Sequence, residues 1–228
     1  MAAETGAASR VVIVGGGAAG CEVAANLAAL SREARLGAEI SLVEAATDLM
    51  PTSPRGARRI MRGHLEGLGV GAILGRRAVA GHGGAVLDDG GEVRADLTLS
   101  ATGVVPPGVF ARSGLATGDD GALWVDRHLR SPNDHRIFGG GDAVAFRGGR
   151  LPRFGVYAVR QGPVLYRNLQ ASLRGEPLSP YRPQRRYLYV LDLGDGTGLA
   201  IYGAFAGRGR PALWLKHLID RRFVRGYG

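Results

Sequence analysis

Val11 to Val14 form an unbroken apolar run, and three glycines follow it directly. Such a run suits a strand buried on both faces of a parallel sheet. Ala18 to Leu30 reads as an amphipathic helix, and 38–46 as a second strand ending at Glu44. A second helix is predicted over 53–69, with Ser53 as cap, Pro54 at its first position and Gly67 or Gly69 at its end. Strand, helix, strand, helix is the doubly wound order.

The pattern changes between Val70 and Gly103. Short apolar segments alternate with glycine turns, and Asp88–Gly91 reads as a hairpin turn. This predicts a strand, a small antiparallel meander and a return strand at 97–101. "VVPPG" at 104–108 marks the clearest boundary. Beyond it, 122–126 and 136–144 are strand candidates. The stretch 154–175 is a helix interrupted by Gly162-Pro163, and 187–207 is two strands around "GDGTG". A basic amphipathic helix over 211–227 closes the chain. The expected domains are 10–103, 104–175 and 176–228.

The hydrophobic fraction of 45% is ordinary for a globular protein, and no apolar run is long enough to span a bilayer. The opening "MAAETGAASR" lacks the basic and apolar regions of a secretory signal, so a cytoplasmic location is expected. Cys21 is the single cysteine, which excludes an internal disulfide and a redox dithiol within the chain; it reads as a packed helix residue. The net charge of +9 is uneven: residues 174–228 hold ten Arg and Lys against four Asp and Glu. A basic tail suits phosphate, anionic lipid or nucleic acid, but equally a solvated surface. No nucleic-acid motif accompanies the charge, and the five histidines show no metal spacing.

Gly15, Gly17 and Gly20 form G-x-G-x-x-G. The first glycine allows a tight turn, the second lets a pyrophosphate approach the backbone, and the third permits close packing of helix on strand. Gly16, Ala18 and Ala19 complete the turn and open the helix, whose free N–H groups favour an anion. The alternative is a turn kept only for packing. Glu44 ends the next strand, where a carboxylate accepts hydrogen bonds from a ribose 2′-hydroxyl and repels a 2′-phosphate. The "AATD" after it holds no arginine, so NADH is favoured over NADPH. The bland reading of Glu44 is a solvated residue at a strand end.

Taken in order, "VVIVGGGAAGCEVA", "LVEAATDLMPTSP", "LSATGVVPP", "WVDRHLRSPNDHRIFGGGDAV" and "GVYAVRQGPVLYRNL" resemble the later portion of the FAD-dependent pyridine nucleotide-disulfide oxidoreductase superfamily, type II NADH dehydrogenases included. The tail, "YRPQRRYLYVLDLGDGTGLA" with "WLKHLIDRRFVRGY", is most similar to the NADH-dehydrogenase-like oxidoreductases fused to selenide, water dikinase. The resemblance implies an α/β fold: a Rossmann-like NAD(P)H-binding domain with a β-meander, then the second part of an FAD-binding domain, then a C-terminal β-hairpin and amphipathic helix. No second glycine turn follows a strand, so the N-terminal FAD half of that family is not recognised here.

The same resemblance implies the cofactors NADH and FAD. Glu22, Thr102 and Gly103 join the glycine turn and Glu44 on the nicotinamide side. Gly141 and Asp142 of "GGGD" match the second FAD element, with Asp142 on the ribityl chain; a turn-capping Asp is the alternative. Ala158, Gln161 and Gly162 lie against the isoalloxazine edge if the helix at 154–175 directs its N-terminus there, and otherwise belong to an ordinary amphipathic helix. No side chain is assigned a catalytic or metal-ligating role. Hydride would pass from NADH to flavin and on to an external acceptor such as a quinone, with a partner chain supplying the missing FAD half. The competing expectation is a non-catalytic NADH-binding fragment. The closing helix suits peripheral contact with the inner face of the plasma membrane, or docking on the chain's own core.

Overall fold

The structure, a computed structural model, describes residues 9–226. The opening segment read for a signal therefore lies largely outside the described residues, as does Tyr227 of the closing helix. The first half runs β1 (Arg10–Val14), α1 (Ala18–Glu33), β2 (Glu39–Glu44), α2 (Arg55–Leu68) and β3 (Gly71–Leu74). Then come β4 (Ala78–Gly81), β5 (Gly84–Leu87), β6 (Glu92–Arg94) and β7 (Leu97–Ser100). The second half has α3 (Val109–Arg112), β8 (Leu123–Val125), β9 (Val144–Phe146) and α4 (Gly155–Arg174). Strands β10 (Leu188–Asp192), β11 (Gly198–Tyr202) and β12 (Phe205–Gly209) precede α5 (Arg210–Arg225).

Two compact units result, 1–103 with 188–228, and 104–187. The first is built on a parallel sheet ordered β3-β2-β1-β7, with Val11 opposite Ile40 and Leu97. β1 is central, so its alternate side chains enter two cores. Val11 and Ile13 pack with Cys21, Ala24, Ala25 and Ala28 of α1 and with Met61 and Leu65 of α2. Val12 and Val14 pack with Ala85 and Ala95 of the meander. Both faces are covered, which is why the run carries no polar alternation.

The C-terminal sheet, ordered β10-β11-β12, joins the first of these cores through Leu191, Leu193, Leu199 and Ile201. The expected hairpin thus gains a third strand, Phe205–Gly209, antiparallel to β11. Its arginine and glycines gave no apolar alternation, and its hydrogen bonds to β11 decide it. α5 packs on this sheet closely enough that a Cβ at Gly198 would lie 2.7 Å from the Leu213 nitrogen. Trp214 stays 67% exposed on the outer side. Among the described residues no helix is long and apolar enough to cross a membrane.

One expectation changes at α2. Ser53 does not cap α2, which starts after Pro54; its hydroxyl instead shares a 2.9 Å hydrogen bond with the Tyr189 hydroxyl. Gly69 ends the helix in the left-handed region, at φ 79°. His64 lies on a helix rich in arginine, yet it is buried, with Nε2 2.8 Å from the Leu193 carbonyl. The polar neighbours in sequence face water, while the C-terminal sheet covers the His64 side.

In the second unit, Leu123, Val125, Leu129, Phe146 and Tyr181 form the core. The strand expected over 136–144 does not form as one piece. Phe138 bridges Arg130, Gly141–Ala143 make a 3-10 turn, and β9 begins at Val144. Gly141 sits at φ 70°, where glycine breaks an extended run without strain. α4 runs unbroken through Pro163, whose missing N–H would have met the carbonyl of exposed Val159. Asn168, buried on the inner side of α4, donates to the carbonyls of His128 and Ser179 and accepts from the Ser179 N–H.

Candidate dinucleotide-binding site

The first unit opens a cleft of about 690 Å³ at the carboxyl ends of β1, β2 and β7. Open parallel sheets bind ligands at this edge, where strand order reverses about the first strand. Val14, Gly15 and Gly17 form one wall, Val43 to Ala45 another and Ser100 to Gly103 a third. Arg76 to Ala80 close it from the meander side.

The glycine turn has the geometry its spacing predicts. Gly15 adopts φ 110°, and a Cβ there would lie 2.4 Å from the Ala101 carbonyl oxygen. A Cβ on Gly20 would stand 1.8 Å from the Gly15 carbonyl oxygen, so α1 sits directly on the turn. Gly17 is different: a Cβ there meets nothing within 4 Å. Gly17 precedes the first residue of α1, and no side chain caps that helix. The first-turn N–H groups in front of Gly17 take no side-chain cap, the condition under which a helix start can hold an anion.

Glu44 is held by the backbone on both sides. Its Oε2 accepts the Gly16 N–H at 2.7 Å and its Oε1 accepts the Ala46 N–H at 2.8 Å. This fixes the carboxylate at the rim of the cleft, with further lone pairs still able to accept. Thr102 and Gly103 also line the cleft, and the Thr102 hydroxyl lies 3.3 Å from that of Ser100. Gly16 and Gly20 are buried in the turn, and Ala18 and Ala19 open α1.

Glu22 does not join this group. Its Oε1 accepts the Asp192 N–H at 2.7 Å, facing the C-terminal sheet. Burial pushes its pKa up from the usual carboxylate value. Arg76 and Arg77 line the cleft although the sequence reading passed over them. Arg76 pairs with Asp89 at 3.0 Å, whereas the Arg77 guanidinium has no ion pair among the described residues. The signal was their place just past the end of β3, the same edge as the glycine turn.

In the second unit Gly141, Asp142, Ala158 and Gln161 of the five residues assigned to the flavin come together, whereas Gly162 lies exposed on α4. Gln161 is buried, and its Oε1 accepts the Gly141 N–H at 2.5 Å. A Cβ at Gly141 would lie 3.4 Å from that of Ala158. Asp142 stands on the 3-10 turn, its carbonyl tied to Arg153 Nε at 3.0 Å. Its carboxylate makes no hydrogen bond among the described residues, so its lone pairs are open to solvent or a ligand.

Cys21 is fully buried and donates weakly to the Gly16 carbonyl at 3.3 Å. Burial pushes its pKa up to about 12. The thiolate is the reactive form, so the folded protein should give no thiol titre with an aqueous disulfide reagent at mildly alkaline pH. The unfolded chain should react fully; rapid reaction of the native protein would contradict the burial.

The family model described as pyridine nucleotide-disulphide oxidoreductase matches residues 2–162. The chain belongs to that family. Ferroptosis suppressor protein 1 of Taeniopygia guttata is 27% identical over 226 residues, covering 91% of this chain and 57% of the relative. The type II NADH:quinone oxidoreductase of Haemophilus influenzae is 27% identical over 75% of this chain and 42% of its own length. Among solved structures, a ferredoxin reductase from Rhodopseudomonas palustris superposes with a TM-score of 0.63 at 28% identity, over 84% of this chain and 46% of that one. The chain therefore spans about half the length of the relatives it matches. The mixed α/β fold with its parallel sheet is that of this family.

Proposed function

We propose that this chain is the nicotinamide-side portion of an FAD-dependent NADH oxidoreductase that passes electrons to an external acceptor such as a quinone. The observation that carries the reading is the open backbone at Gly17, set between an uncapped helix and a fixed Glu44 carboxylate. N–H groups at the start of α1 hold the diphosphate. Glu44 accepts from the adenosine ribose, and the Arg77 guanidinium adds positive charge to the wall. Asp142, Gly141, Ala158 and Gln161 hold the part of FAD that falls to the second unit. FAD supplies, when bound, the acceptor of the hydride. A single buried thiol offers no dithiol relay, so the terminal acceptor lies outside the chain.

Titration with NADH is expected to give a saturable signal. Gly17→Val should remove it at a cost in stability of about 1 kcal/mol, that of valine for glycine at a helix N-cap, since a Cβ there meets no protein atom. Undiminished affinity in that variant would refute the site.

The single glycine turn of the sequence favours a second reading, a non-catalytic NADH-binding fragment. NADH oxidation with FAD and an artificial acceptor separates the two: turnover, by the chain alone or on adding a partner chain that carries the FAD half, supports the first, and NADH binding without turnover in either case the second. For location we propose the cytoplasm, with peripheral contact at the inner face of the plasma membrane. Trp214 beside Arg221, Arg222 and Arg225 on α5 supports that contact.

A further inference from the structure

Of the two arginines in the cleft wall, Arg77 makes no ion pair among the described residues and Arg76 does. Arg76 follows β3, and its backbone N–H donates to the Glu44 carbonyl at 3.1 Å. Its side chain therefore starts beside the residue assigned to the adenosine ribose. The guanidinium is drawn to the turn between β5 and β6. Nη1 lies 3.0 Å from Asp89 Oδ2 and 3.9 Å from Asp88 Oδ1. That turn is tied to the chain after β3: the Asp88 N–H donates to the Arg77 carbonyl at 2.9 Å, and Asp88 Oδ2 accepts the Arg77 N–H at 3.2 Å. All of these groups belong to the first unit.

The two acids do two things, and only one of them needs their charge. Asp88 accepts the Arg77 N–H, and Asp89 Oδ1 accepts the Gly91 N–H at 3.0 Å. The amide oxygen of an asparagine would accept the same bonds. What the negative charge adds is the hold on Arg76. A guanidinium beside the ribose is the group that suits a 2′-phosphate, through paired N–H···O bonds to its oxygens. Arg76 starts close to Glu44, yet two carboxylates compete for its donors. They also add negative charge beside the cleft, against a group that itself carries nearly two. An exposed pair of this kind is weak, so it biases the choice of nucleotide rather than forbidding one.

We propose that Asp88 and Asp89 are specificity-determining residues: by tethering Arg76 they withhold it from a 2′-phosphate and favour NADH over NADPH. Glu44 repels the phosphate, and the acid pair keeps its counter-ion away. The inference rests on the nucleotide site proposed above and extends it to residues outside the cleft's own lining.

The test titrates the full chain with NADH and with NADPH. Asp88→Asn with Asp89→Asn should bind NADPH about threefold to tenfold more tightly, and NADH within about twofold of the parent. Asp89→Asn alone, which removes the nearer contact, should show part of the gain. The gain should shrink as salt rises. Adding Arg76→Gln to the double variant should abolish it, because the released guanidinium is then gone. Glu92→Gln controls for overall charge. Glu92 lies exposed beside the turn without an ion pair among the described residues, so its loss should leave the ratio of the two affinities within about twofold. All replaced residues are exposed, and circular dichroism checks that the variants fold. If NADH binds saturably and the double variant leaves NADPH affinity unchanged, this inference fails and the nucleotide site stands. A gain that survives Arg76→Gln, or that Glu92→Gln reproduces, also overturns it, because general charge rather than the tether would then be responsible. No saturable NADH signal in the parent overturns the site and this inference together.

Discussion

Replacing Gly20 by alanine should both unsettle the first unit and abolish NADH binding. The added methyl would fall 1.8 Å from the Gly15 carbonyl oxygen, backbone against backbone, with no flexible side chain to give way. α1 must then withdraw from the sheet, and with it Cys21, Ala24, Ala25 and Ala28, the small residues that let it pack there. Overpacking of this kind costs about 3 kcal/mol or more when the backbone itself must move. A urea melt followed by circular dichroism reads the loss, and NADH titration at low urea reads the site. Gly63→Ala is the internal contrast. It lies exposed in α2 with nothing within 4 Å of its would-be Cβ, and alanine there should stabilise by roughly 0.5–1 kcal/mol. An unchanged midpoint for Gly20→Ala would mean that the turn and helix do not meet as described.

Glu44→Ala should fail in two separable ways. The Gly16 N–H is buried and loses its only acceptor among the described residues, and the Ala46 N–H loses its own. An orphaned buried donor costs about 1–3 kcal/mol, which the same melt detects. The second effect is on nucleotide choice. With the carboxylate gone, the repulsion of a 2′-phosphate goes as well, and Arg77 remains in the cleft lining. The ratio of NADPH to NADH affinity should rise by about tenfold or more. A fall in stability without any change in that ratio would leave Glu44 as a brace for the glycine turn and remove it from the nucleotide site.

Much of the first unit was legible in the amino-acid order. Val11 to Val14 declared a doubly covered strand, and the spacing of Gly15, Gly17 and Gly20 implied three different steric roles that the geometry separates. The carboxylate at the end of β2 followed from the same logic. These features are local: a tight turn, a helix start and a strand end each constrain residues within a few positions of one another.

Contacts across long stretches of chain were not legible. The burial of His64 depends on Leu193, more than a hundred residues later, and the direction of Glu22 depends on Asp192. Arg76 and Arg77 reach the cleft because β3 lies beside β2 in the sheet. The segment 136–144 has strand composition yet pairs only at Phe138 and at Val144, where β9 begins, because a strand exists by its partners and glycines at 139–141 let the chain turn away. The order of residues by itself determined the glycine turn, the doubly wound pattern and the small-residue face of α1. Only the tertiary structure decided which charged groups face the cleft and which are buried elsewhere. Backbone sterics and periodicity act between neighbours, whereas burial and charge placement are settled by whatever distant segment packs alongside.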